Sequence, residues 1–129
     1  MQKNHETCPV KHTLQIIGNK WRVFIIHELL QGTRRFSQLQ KALGDVTQKV
    51  LTANLRVLEE NGLVTRTVYA EVPPRVEYSL TATGQSLKPI LECMAFWGDN
   101  YKSDDFCADC MMAWSKVQIN GFDENKESV

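Results

Sequence analysis

Gln48, Lys49, Thr52, Ala53 and Arg56 recur at spacings of three and four residues, so in a helix they share one broad side, and Thr47 stands at its start as the cap. Hydroxyl, amide, ammonium and guanidinium groups at that spacing are the types that hydrogen-bond base edges and phosphates. A helix capped by Thr47 and ending before Gly62 is about 20 Å long at 1.5 Å per residue, enough to lie in the major groove of double-stranded DNA. Its N-terminus favours an anion. A solvated helix face carries the same residue types, so the set gains meaning only from its surroundings. Arg66 and Arg75 supply them, one on each strand of a hairpin whose tip holds Pro73 and Pro74. Arg75 follows the rigid tip, where a wing can enter a minor groove.

A second kind of chemistry belongs to the cysteines. Cys8 stands before Pro9 at a helix start, where the peptide dipoles favour an anion such as a thiolate, with His5, Lys11 and His12 nearby. A thiolate there is a nucleophile toward oxidants and electrophiles. An isolated cysteine is also a common small apolar residue, but the polar stretch 1–7 argues against deep burial at position 8. Cys107 and Cys110 form a CADC element. A lone CxxC is a weak signal: all three histidines lie within the first 27 residues, away from it, and no βαβ pattern surrounds it. One of the two is a candidate to resolve an oxidised Cys8, within one chain or across a dimer, and the spacing alone does not select which. Cys93, amid Leu91, Met94 and Phe96, reads as core, and His27 as structural. No nucleophile–histidine–acid set, phosphate loop or carboxylate pair stands out, so neither catalysis nor a metal or cofactor is expected.

The chain of 129 residues is one domain's worth, 43% hydrophobic and 23% charged, which excludes a disordered or fibrous class. The apolar runs are four or five residues, far short of a membrane span. The stretch MQKNHETCPV lacks the pattern of a secretory signal, and four cysteines then read as reduced thiols, so the expected location is the cytoplasm. Net charge is formally zero, yet residues 1–90 carry 12 Lys/Arg against 7 Asp/Glu and residues 91–129 carry 3 against 8. A basic first part fits an electrostatic footprint that the average conceals.

These groups must be placed by helices and a hairpin. Pro9 opens a first helix over 9–17 and Gly18 closes it. A second runs over 20–31, with Trp21, Phe24, Ile25 and Leu29 on one face and Val23, Ile26 and Leu30 widening it, so neighbours should enclose it. A third, short helix starts at Phe36, with Ser37 as cap and Leu39, Ala42 and Leu43 inward, and Gly44 ends it. The fourth points Val50, Leu51, Leu55 and Leu58 inward. Helices three and four, split by the turn 44–46, spell a helix-turn-helix. The period then changes to two: strands over 63–69 and 75–80 flank the loop 70–74. Thr81 caps a last helix reaching about Tyr101, with Leu87, Ile90, Leu91, Met94, Trp97 and Tyr101 along one stripe and Pro89 forcing a kink or a late start. Residues 106–119 carry the pattern of one more short helix.

The expected fold is therefore mostly α with a small β-hairpin: a winged helix-turn-helix over 8–102, after a flexible arm 1–7 and before a partly disordered acidic extension 103–129. The apolar stripe on the last helix exceeds what a small core can cover, which predicts a homodimer with two reading heads and a pseudo-palindromic operator.

The segments CPVKHTLQIIGNKW, RFSQLQKALGDVTQKVLTANLRVLEENGLVTRTVY and EVPPRVEYSLTATG resemble the HxlR-type winged-helix regulators, relatives of the MarR group, over roughly 90 residues in the same order. The resemblance implies a homodimeric transcription factor that reads DNA with the fourth helix. It also implies a dimer interface built from the first and last helices, here Val10, Leu14, Leu87, Ile90, Leu91, Met94, Trp97 and Tyr101. It further implies a redox or electrophile sensor at the cysteine before Pro9, with a small oxidant or electrophile as effector. Two alternatives stay open: the same regulator governed by a non-covalent small molecule, and a winged-helix protein-interaction module that binds no DNA.

Overall fold

A computed structural model of the chain describes residues 8–101. Its elements run α1 (Pro9–Ile17), α2 (Lys20–Leu30), β1 (Arg34–Arg35), α3 (Phe36–Leu43), α4 (Gln48–Glu60), β2 (Val64–Tyr69), β3 (Arg75–Leu80), α5 (Ala82–Gln85) and α6 (Lys88–Asn100). They fall into two compact units that divide between Ser86 and Leu87. The first holds the helix-turn-helix and its wing; the second, among the described residues, is α6.

In the first unit, α2 is the hub, touching α1, α3, α4 and β3. Ile25, Ile26 and Leu29 of α2 meet a core that includes Ile17, Leu39, Leu51, Leu55, Leu58 and Tyr78, all buried. The inward stripe of α4 is as its spacing predicts, except that Val50 is half-buried. Phe24 departs from expectation: it is 36% exposed, at the edge of α2 rather than inside.

Three boundaries differ from the sequence reading. A two-residue strand, β1, precedes α3 and makes the wing a three-stranded antiparallel sheet in the order β1-β3-β2. Arg34 pairs with Tyr78 and Arg35 with Glu77. Arg35, not Ser37, occupies the N-cap of α3, and its backbone N–H donates to Gln38 Oε1 at 2.8 Å. The last helix begins late, as Pro89 demands, but Thr81 caps only the short α5 before the chain breaks and restarts as α6. The arm 1–7, the 106–119 helix and the acidic extension lie outside the described residues.

The base of the wing is closed by Thr81 and Gly84. Thr81 Oγ1 donates to the Gly62 carbonyl at 2.6 Å and accepts the Gly84 N–H at 3.1 Å. A β-carbon on Gly84 would run into the Leu63 carbonyl oxygen and come within 2.8 Å of Leu80 Cδ2. Gly84→Ala should therefore destabilise the fold by about 2 kcal/mol through overpacking, a fall in melting temperature of roughly 8–16 °C for a domain this small. An unchanged melting curve would show that the contact relaxes freely.

Candidate nucleic-acid interface

Between α3 and α4 the chain turns at Gly44, whose φ of +74° is left-handed and favours glycine. Val46 anchors this turn by burial. Thr47 then caps α4: its Oγ1 accepts the Val50 N–H at 3.1 Å, which leaves the hydroxyl hydrogen able to donate outward.

At 100° per residue, Gln48, Lys49, Thr52, Ala53 and Arg56 fall within an arc of about 140°, opposite the buried arc of Leu51, Leu55 and Leu58. Thr47, Gln48, Lys49, Ala53 and Arg56 are exposed and Thr52 is half-buried, so no other part of the described chain covers this face. Glu59 and Glu60 occupy its C-terminal end. Cations and amides at the N-terminal end followed by carboxylates at the far end give the face a polarity: a polyanion is attracted to the first turns and repelled from the last.

The wing distributes its arginines in a way the sequence reading did not foresee. Arg66 pairs with Tyr78 and Tyr69 pairs with Arg75, so Arg66 and Arg75 point to opposite faces of the sheet. Arg66 is exposed. Arg75, expected as an outward cation, is instead held within the wing. Its Nη2 lies 3.4 Å from Glu71, its Nε 3.9 Å from Glu77, and its guanidinium stacks 4.2 Å from the Tyr69 ring centre. Nε is enclosed without a hydrogen bond, the Glu77 oxygen being too distant to accept one. Two carboxylates thus offset the charge of Arg75 beside the tip. An open cleft of about 460 Å³ separates that tip from the start of α3, with Arg35 and Arg75 on its walls.

The terminal helices carry exposed apolar stripes. On α1, Val10 and Leu14 are 65% and 57% exposed. On α6, Ile90, Met94, Trp97 and Tyr101 are exposed within an arc of about 60°, and the Trp97 and Tyr101 rings stack at 4.7 Å. Leu87 and Leu91 lie on an adjacent side of α6 and are buried. Cys93 is half-buried rather than core.

Cys8 is half-buried at the N-cap of α1, where its carbonyl accepts the His12 N–H at 3.1 Å and its side chain makes no capping bond. Lys11 is half-buried and His12 exposed. Cys107 and Cys110 lie outside the described residues. Among the described residues, no three His, Cys, Asp or Glu side chains are placed to hold a metal ion, and no helix is long and apolar enough to cross a membrane.

One polar contact escaped the sequence reading. Arg22 on α2 donates to Asn54 on α4 at 3.2 Å and to two carbonyls at the end of α1. The signal was available: Asn54 falls between Leu51 and Leu58 inside the inward stripe, and Arg22 sits in a helix apolar on nearly every side. Both positions demand a polar partner.

A family model described as HxlR-like helix-turn-helix matches residues 16–106. The chain belongs to the HxlR-like helix-turn-helix family. The chain is similar to the uncharacterized HTH-type transcriptional regulator YdeP of Bacillus subtilis, 46% identical over 97 residues that make up 75% of this chain and 76% of the relative. Among solved structures, the redox regulator HypR in its oxidized form superposes with a TM-score of 0.69 at 43% identity, covering 74% of this chain and 99% of that one. The reduced form of the transcriptional regulator YodB from B. subtilis gives 0.66 at 33% identity, covering 80% and 97%. The winged-helix architecture is thus common to the chain and its structural neighbours, and the family's named relatives are transcriptional regulators.

Proposed function

We propose that this protein is a homodimeric transcriptional regulator that reads pseudo-palindromic double-stranded DNA with α4 and is controlled by oxidation or electrophilic modification of Cys8. The observation that carries the DNA reading is the uncovered outer face of α4, where Gln48, Lys49, Thr52, Ala53 and Arg56 stand free of the core. Arg66 adds a cation on the wing.

The dimer reading rests on the spacing of Ile90, Met94, Trp97 and Tyr101, four, three and four residues apart, which is the seam of two packed helices. Thiol control rests on the position of the half-buried Cys8 at the start of α1 and on the likeness to HypR, solved in oxidized and reduced forms, and YodB, solved reduced and diamide-treated. Modification of Cys8 displaces α1 at the dimer interface and changes the separation of two heads that must engage together.

Selection of bound fragments from random DNA tests all three parts. The expected product is an inverted repeat with half-site centres about 10 base pairs apart or a multiple of that. Diamide, which takes two electrons and two protons from a pair of thiols, should change the enrichment by wild type and leave Cys8→Ser unaffected. Absence of any enriched sequence would point to a protein-interaction module instead. Enrichment indifferent to diamide would point to a non-covalent effector.

A further inference from the structure

Among the described residues Asn54 is the one buried polar side chain, 6% exposed on the inner half of α4. Its Nδ2 donates to the Val50 carbonyl one turn back at 2.9 Å, which fixes the amide and leaves Oδ1 facing away from its own helix. That oxygen accepts from Arg22 Nη1 at 3.2 Å. The same guanidinium donates through Nε to the Ile16 carbonyl at 2.6 Å and through Nη2 to the Gln15 carbonyl at 3.1 Å. These carbonyls belong to the last turn of α1, where a helix leaves C=O groups without intrahelical partners and the peptide dipoles favour a cation.

One planar side chain on α2 therefore joins the end of α1 to the middle of α4. The donors of a guanidinium lie in a fixed plane, so the three acceptors cannot shift independently. A displacement of the last turn of α1 either carries Asn54 with it or leaves a buried oxygen unpaired, and the second outcome is opposed by the desolvation of that group. Ala53 and Arg56, on either side of Asn54 in sequence, are on the outer face. Rotating α4 by about 20° sweeps its side-chain tips, some 5–6 Å from the axis, through roughly 2 Å. That is enough to make or lose a hydrogen bond to a base edge.

We propose that Arg22 and Asn54 are positioning residues for DNA reading: together they set the rotation of α4 and transmit displacements of α1 to it. This rests on α4 being the reading helix, but the link itself can be observed without DNA.

The test uses the full chain with Cys93, Cys107 and Cys110 replaced by serine, so that iodoacetamide alkylates Cys8 alone at the start of α1. In 15N-labelled protein, alkylation is expected to shift the amide resonances of α4 around Asn54. The response should vanish in Asn54→Leu and Arg22→Met, and persist in Asn54→Asp, which keeps an acceptor for the guanidinium. Arg22→Lys, which keeps the charge but not the planar fork, should lose it and serves if Asn54→Leu fails to fold. On DNA obtained by selection, Arg22→Met and Asn54→Leu should each weaken binding about tenfold, with the double variant no worse than either single one, as for two residues that act as a unit. Resonances of α4 that stay still on alkylation of the parent, or that move equally in Asn54→Leu, would overturn the proposal. If wild type binds no DNA while the resonance pattern follows expectation, the DNA reading fails and the mechanical link stands.

Discussion

Reversing both cations on the outer face of α4, Lys49→Glu together with Arg56→Glu, should remove operator binding while leaving the fold intact. The two side chains stand seven residues apart on one exposed side, so they reach points about 10 Å apart along the groove. A good bidentate base contact contributes about 1–3 kcal/mol of discrimination, and each reversal also replaces attraction to phosphate by repulsion, so affinity should fall at least ~100-fold. Neither residue belongs to the core, so the melting temperature should move little. Fluorescence anisotropy with the selected DNA reads the loss. Affinity retained within tenfold would place the contact surface elsewhere.

Met94→Asp with Trp97→Asp should separate the protein into monomers. Both residues lie in the exposed apolar stripe of α6, 48% and 65% open to solvent in the single chain, and Trp97 stacks on Tyr101. Truncating a central aromatic residue typically costs 2 kcal/mol or more of association, and two buried unpaired carboxylates add to that, so the dimer should weaken by at least ~100-fold. Light scattering at micromolar concentration should show the mass halved. Operator binding should fall with it, because each head then binds alone without the effective concentration its twin supplies. A double variant that remains dimeric would move the interface off α6.

Most of the architecture was legible because local signals agreed with one another. Pro9 and Gly18 bracket α1, Thr47 and Gly62 bracket α4, and the change from helical period to period two marks the wing. The outer face of α4 could be named in advance because it is the complement of an apolar stripe. What escaped depends on which groups meet once the chain is folded. The two residues of β1 have no pattern of their own and become a strand only by pairing with Tyr78 and Glu77. The break between α5 and α6 was half visible, since Pro89 announces a late start but not the separate turn that Thr81 caps. Arg75 looked like a free cation because its neighbours were counted without their faces: Glu77, two residues on, shares its side of the strand. Leu87 and Leu91 fit the apolar stripe of the last helix, yet the spacing of a stripe does not say which of its residues are buried in the single chain.

Methylation protection tests the central claim, that α4 lies in the major groove, most directly. Dimethyl sulfate attacks guanine N7, which faces that groove. Bound wild-type protein should protect guanines in both halves of the selected inverted repeat, and the Lys49→Glu, Arg56→Glu variant should leave them reactive at the same concentration. Full binding with every N7 still reactive would mean that some other surface holds the DNA.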